Sequence, residues 1–292
     1  MDAETVKQRA KAFDYLFDAV VVTDTNGVIV DWNAGSEALY GYTKSEAVGQ
    51  AVSILHVPED SAQLTAQVIA AVARDGKWTG EIRMLRKDGH IGWIESMCVP
   101  IFDDDGSMVG ALGINRDISD RKAEQERLSH LAHFDQLTNI PNRYLLLDRV
   151  SHLIEQSKRS HKSFTLLFID LDKFKSINDT RGHGFGDQVL REFAARIKSC
   201  IRASDTVARI GGDEFVILLE DASGKTNVSK VTEALIEAVD KPFHITGQQF
   251  QMSCSIGVAN YPGDGRSTDE LLAVADRAMY RAKKKSCSSY EF

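Results

Sequence analysis

The stretch from Val207 to Glu220 constrains this chain more than any other. Two apolar runs, VARI and FVILL, flank Gly211-Gly212-Asp213-Glu214. Glycine tolerates the positive φ of a tight reversal, so the stretch reads as two strands joined in a hairpin. Its tip carries two adjacent carboxylates, which repel one another unless something neutralises them. A divalent cation such as Mg2+ does so, because it favours hard oxygen ligands. The alternative is an acidic surface turn, and the hairpin by itself does not separate the two.

A second strand sharpens the question. FTLLFIDL (164–171) is uncharged and mostly apolar until Asp170, which places a carboxylate at the strand's end. The chain then turns into a helix through LDKFKSIND, and free N–H groups at such a helix start can hold phosphates. Lys173 and Lys175 add positive charge nearby. If this strand neighbours the hairpin, Asp170 and Asp213 or Glu214 converge on one metal site. Metal-assisted phosphoryl or nucleotidyl transfer is the chemistry such a site supports. The remaining strands are expected at TVARI, FVILLE and SCSIGVANY, with helices around 142–158, 186–201, 225–239 and 268–284. Alternating helix and strand of this kind builds an α/β domain on a central sheet.

The first half has another pattern. Residues 1–14 read as a short helix with Val6, Ala10 and Phe13 on one side. AVVVTDTNGVIVDWN is a strand, an Asn26-Gly27 turn and a second strand. Short helices follow in SEALYGY and KSEAVG, with Ser36 and Thr43 as expected N-caps. The helix in LTAQVIAAVARDG stops at Gly76. Three strands complete this half, separated by Asp88-Gly89 and Asp105-Gly106 turns. The order predicts an antiparallel sheet with helices on one face, making the whole chain α+β. Residues 119–134 are charged and helical, and Ile118, Gln125, Leu128 and Ala132 fit a heptad seam. That segment is either a solvated connector or a parallel coiled coil between two copies. The expected divisions are a helix at 1–14, a first domain at 15–118, a linking helix at 119–134 and a second domain at 135–292.

Composition excludes several classes. A net charge of −7 gives no footprint for nonspecific nucleic-acid binding. The four cysteines form no CxxC pair, so neither a zinc site nor a disulfide framework is indicated. The apolar run at Ala19–Val22 is far too short to cross a bilayer, and the first residues lack the apolar core of a signal peptide. The expectation is a cytoplasmic protein with no membrane segment.

Two resemblances add to this reading. NGVIVDWNAGSEALYGYTKSEAVG, with RKDGHIGWIESMCVPIFDDDGSMVGALGINRDISDRK, resembles a PAS domain with its exit helix, over roughly residues 12–122. GGDEF at 211–215, with DQLTNIPNR (135–143), FIDLDKFKSINDTRGHGFGDQVL (168–190) and ADRAMYRAKKK (275–285), resembles the diguanylate cyclase family over about residues 130–285. The second resemblance implies condensation of two GTP molecules into cyclic di-GMP and two pyrophosphates in a homodimer. It implies Mg2+ (or Mn2+) on Asp170, Asp213 and the Leu171 carbonyl, with Glu214 as a further essential carboxylate. Guanine would be read by Asn178 and Asp187. The amides of residues 172–175, including Lys173, Phe174 and Lys175, would hold the terminal phosphates together with Gly212 at the hairpin and the charge of Lys283. RASD at 202–205, nine residues before Gly211, matches the family's product-inhibition site through Arg202 and Asp205.

Two positions depart from the family pattern. Cys287 stands where the usual arginine grips the triphosphate, which predicts weaker GTP affinity. Asn139 stands where the family usually has glycine. The alternative function is a catalytically weak domain that binds GTP or cyclic di-GMP; a phosphodiesterase domain of the EAL type does not fit within 292 residues. The ligand of the PAS-like half is not identified by its histidines His56 and His90, by Cys98, or by Trp32, Trp78 and Trp93.

Overall fold

The structure, a computed structural model, describes residues 3–220, 225–245, 247–285 and 288–292. The chain divides into two units, residues 1–127 and 128–292.

The first unit opens with α1 (Ala3–Asp14), followed by β1 (Ala19–Asp24) and β2 (Ile29–Trp32) around the Asn26-Gly27 turn. Asp24 closes that turn by accepting from the amides of Asn26 and Val28, both at 2.8 Å. Two short helices, α2 (Ala34–Tyr40) and α3 (Lys44–Ala47), lead to α4 (Pro58–Asp75), which ends at Gly76 in the left-handed region. Then come β3 (Trp78–Leu85), β4 (Ile91–Phe102) and β5 (Met108–Asp117). The five strands form one antiparallel sheet in the order β2-β1-β5-β4-β3. Thr43 caps α3 as expected. Ser36 does not cap α2; Asn33 does, because its buried side chain accepts from the amides of Ser36 (2.8 Å) and Val20 (2.9 Å) and so ties the helix start to β1. Ser36 lies one turn inside, with its hydroxyl donating to the Val20 carbonyl.

The linking helix is α5 (Ser119–His133), none of whose side chains is buried. Ile118 is buried in the first unit, where its amide donates to the Trp93 carbonyl, so it does not belong to an exposed seam.

The second unit comprises α6 (Arg143–Ser160), β6 (Phe164–Leu171), α7 (Phe174–Arg181), α8 (His183–Ser199), β7 (Thr206–Gly211), β8 (Glu214–Leu219), α9 (Lys225–Asp240), β9 (Phe243–Ile245), β10 (Gln248–Phe250), β11 (Cys254–Tyr261), α10 (Thr268–Ala282) and β12 (Ser289–Glu291). Its main sheet runs β12-β11-β6-β8-β7, with β6 at the centre and antiparallel to both neighbours. The β9–β10 hairpin and β12 were not foreseen: three-residue strands carry too little periodicity to read.

All eight residues of β6 are buried. Side chains alternate along a strand. Leu167, Ile169 and Leu171 pack with Val189 and Phe193 of α8 and Leu235 of α9. Phe164, Leu166 and Phe168 pack with Leu146 and Val150 of α6 and Leu271 and Ala275 of α10. The same alternation puts Asp170 on the α6–α10 side.

β11 meets α10 at unusually close range. A Cβ on Gly257 would stand 1.9 Å from the Ala275 carbonyl oxygen and 2.2 Å from the Met279 nitrogen, both backbone atoms that cannot rotate aside. Gly257→Ala should therefore lower stability by about 3 kcal/mol, or roughly 6–12 °C in Tm. An unchanged melting temperature would mean that α10 is not clamped to the sheet at this point.

Candidate active site

β6 and β8 are adjacent and in register, with Asp170 directly opposite Glu214. The hairpin between β7 and β8 turns at Gly212 and Asp213; Gly212 has φ +45°, whereas Gly211 needs no positive φ. The Asp213 carbonyl accepts from the Leu171 amide at 3.3 Å. The three expected acidic residues and Leu171 are thus brought to one margin of the sheet.

Charge at this margin is unbalanced. Burial pushes the Asp170 carboxyl above its ordinary range, and Asp213 and Asp172 add to the rise; Lys283 opposes it. Glu214 is likewise raised, first by burial and then by Asp170, Asp213 and Asp276. Lys283, at the end of α10, places Nζ 2.5 Å from Asp170 Oδ1. Burial works against its charge, but the bond to Asp170 and the attraction of Asp170, Asp213 and Asp172 together outweigh burial and hold its pKa above the ordinary value. One ammonium answers three carboxylates.

The start of α7 lies immediately beyond. Lys173 adopts the left-handed conformation at φ +58°, which turns the chain from β6 into the helix. No backbone carbonyl among the described residues takes the amides of Lys173, Phe174 or Lys175. The Asp172 amide does not belong to this set, because it donates to the Ser253 carbonyl at 3.0 Å. The Asp172 carboxylate accepts from the hydroxyls of Ser253 and Ser255 at 2.5 and 2.8 Å. The expected cradle of four amides therefore shortens to three.

Asn178 sits midway along α7. Its Oδ1 is buried and takes no hydrogen bond. An unmade bond of this kind costs about 1–3 kcal/mol, so the atom is an acceptor awaiting a donor. Gly186 of α8 lets it sit there: a Cβ at that position would fall 1.9 Å from Asn178 Oδ1. Asp187 follows Gly186 directly and is half-buried.

Sequence reasoning missed three positioning residues. Arg209 donates to the Gly212 carbonyl through Nε (2.9 Å) and Nη2 (2.7 Å), and to both Asp135 oxygens through Nη1 (3.0 and 3.1 Å). Burial pushes the Asp135 carboxyl up, but bonds from Thr138 and Arg209 outweigh it and hold it below the usual range. Gly186 is the third. The available signals were an arginine two residues before the glycine pair and an acid opening DQLTN. Asn139 has φ +55°, which explains why glycine suits that position.

The expected inhibitory pair lies at the turn before β7. Asp205 accepts from the backbone amides of Arg202 (3.1 Å) and Glu220 (3.1 Å), while the Arg202 side chain is exposed. Cys287 falls outside the described residues. No helix among them is long and apolar enough to cross a membrane.

Residues 132–288 match the family described as diguanylate cyclase, GGDEF domain, and residues 29–115 match the PAS fold. MucR of Pseudomonas aeruginosa, named a bifunctional diguanylate cyclase/cyclic di-GMP phosphodiesterase, is 46% identical over 165 residues, 56% of this chain and 24% of that protein. An uncharacterized signaling protein of Caulobacter vibrioides is 34% identical over 297 residues, 99% of this chain and 35% of that protein. The solved GGDEF domain of TpbB (YfiN) from Pseudomonas aeruginosa is 38% identical with a TM-score of 0.53, covering 55% of this chain and 93% of its own. The chain spans about a quarter to a third of the length of these curated relatives. With the hairpin, the strand-end carboxylate and the family match all in the same 157 residues, this chain belongs to the GGDEF diguanylate cyclase family and carries that domain behind a PAS fold.

Proposed function

We propose that this chain joins two GTP molecules into cyclic di-GMP. Each ribose 3′-oxygen attacks the α-phosphate of the other nucleotide. Two phosphodiester bonds form, two phosphoanhydride bonds break, and two pyrophosphates leave. One observation carries the reading: Asp170 stands opposite Glu214, with Asp213 bonded to the next residue of the strand, beside a helix start with open amides.

The donor set suits a divalent ion. Asp170, Asp213 and the Leu171 carbonyl would hold Mg2+ or Mn2+, which when bound neutralises phosphate charge and orients the reacting oxygens. No three His, Cys, Asp or Glu side chains among the described residues form a closed cage. Two carboxylates and a carbonyl leave room for phosphate oxygens and water, as Mg2+ favours. Amides of Lys173, Phe174 and Lys175 would take the terminal phosphates, with Gly212 keeping the hairpin clear of side-chain atoms and Lys283 supplying positive charge. Asn178 Oδ1 would accept from guanine, and Asp187 from the N1–H and amino edge; adenine leaves both unpaired. Glu214 completes the acidic margin.

One such site holds one GTP, so two copies must face each other, and the reaction calls for a homodimer. We assign α5 to bringing the copies together and the PAS fold to biasing that arrangement. Arg202 and Asp205 would bind product as an inhibitor: the arginine is free to fork onto phosphate or guanine. Assaying the chain with GTP and Mg2+ for cyclic di-GMP tests the whole reading. Binding of GTP without product would convert it to a nucleotide-binding module.

Three substitutions dissect the site. Asp213→Asn keeps the shape but removes a charged ligand, and should lower turnover at least ~100-fold with folding intact. Gly186→Ala should displace Asn178 and raise KM for GTP more than it lowers kcat, even though alanine favours helix. Arg209→Lys replaces a forked contact with a point charge; turnover should fall roughly tenfold, and full activity would show that the hairpin tip holds its shape unaided.

A further inference from the structure

The first turn of α7 has no cap of its own. Lys173 stands at the N-cap position, where a lysine offers no acceptor to the helix amides. It also holds φ +58°, a region that non-glycine residues enter seldom and keep only where their surroundings fix them. The residue before it supplies that fixing. Asp172 is the first residue past β6. Its amide donates to the Ser253 carbonyl at 3.0 Å, and its two carboxylate oxygens accept from the hydroxyls of Ser253 and Ser255 at 2.5 and 2.8 Å. Hydrogen bonds to a carboxylate are the stronger kind.

Ser255 is buried in β11 and stands opposite Asp170 in the ladder, yet its hydroxyl goes to Asp172, two residues on. Asp170 takes Lys283 instead. The two carboxylates thus have different tasks: Asp170 faces the acidic margin, while Asp172 grips the neighbouring strand.

The grip acts on one end of α7 only, because the body of the helix has its own anchors. Phe174 is buried and packs beside α8, where a Cβ on Gly186 would stand 3.2 Å from its ring. The Asn178 carbonyl takes the Gly182 amide at 2.8 Å, which closes the turn into α8. Releasing Asp172 would therefore loosen the amides of Lys173, Phe174 and Lys175 and leave Asn178 and Asp187 in place.

We propose that Asp172 is a positioning residue: clamped by Ser253 and Ser255, it aims the first-turn amides of α7 and so sets the preference of the site for a nucleoside triphosphate over a monophosphate. It rests on the reading of those amides as the holders of the terminal phosphates.

The test uses the full chain with Mg2+ and two probes, 3′-deoxy-GTP and 3′-deoxy-GMP. Neither carries the 3′-hydroxyl that would react, so calorimetry reads binding alone. The unaltered chain should bind the triphosphate more tightly. Asp172→Ala should weaken the triphosphate roughly tenfold, the worth of a hydrogen bond to a charged group, and leave the monophosphate within about twofold. Asp172→Asn keeps an acceptor for one hydroxyl and offers an N–H to the other, so it should recover most of the loss. Should Asp172→Ala not fold, Ser253→Ala combined with Ser255→Ala removes both donors and should separate the two nucleotides in the same way. Triphosphate binding unchanged by these losses would overturn the proposal. An equal loss of both probes would do the same, since it marks damage to the whole site. So would Asp172→Asn as poor as Asp172→Ala, which marks a role for the charge itself, as in a metal ligand. These measurements decide the clamp even where GTP yields no product, an outcome that sinks the cyclase reading alone. An unaltered chain that binds neither probe sinks both.

Discussion

The second unit depends on a strand that has water on neither face. β6 is buried from Phe164 to Leu171, with helices against both sides, and it pairs with a neighbour along each edge. A carboxylate in such a strand is tolerable only at its end, where the chain leaves the core, and Asp170 stands there. Its register with Glu214 and the bond between Leu171 and Asp213 follow from the same ladder. The acidic margin is therefore a product of sheet packing. Its like charges are held together by a core that would not relax to separate them.

Much of this was legible in the amino-acid order. The run FTLLFIDL has no charged residue before Asp170, and such a run suits a strand covered on both faces. The glycine pair between apolar runs allows only a tight reversal. Adjacency of the two elements was an inference, and the ladder bears it out. What periodicity did not contain was the reach of individual side chains. Arg209 spans from the hairpin to Asp135, 74 residues earlier, and no local pattern encodes that. The use of Asp172's amide by Ser253 was hidden for the same reason: the partner lies 81 residues away.

In the PAS fold the elements were readable and the interior was not. Asn-Gly and Asp-Gly turns mark the hairpins, and Gly76 marks the helix end. Ser36 was mistaken for a cap because Ser and Asn are both good caps, and only the contact of Asn33 with β1 decides between them. A cavity is harder still to read, since it consists of atoms that are missing between α4 and the sheet. It is lined from α2, α4, β1, β3, β4, β5 and the turns between them, stretches scattered through the unit.

The clasp between Asp135, Arg209 and the Gly212 carbonyl has a mechanical meaning. Asp135 lies two residues after the end of α5, at the doorway through which the chain enters its second unit. Fastening the doorway to the hairpin makes them travel as one body. A tug delivered along the linking helix would then carry the acidic edge wholesale to a new position, leaving its internal shape untouched. Any control applied from that direction must act like a hand moving a tool, deciding where the edge is held and leaving the edge itself as it was forged.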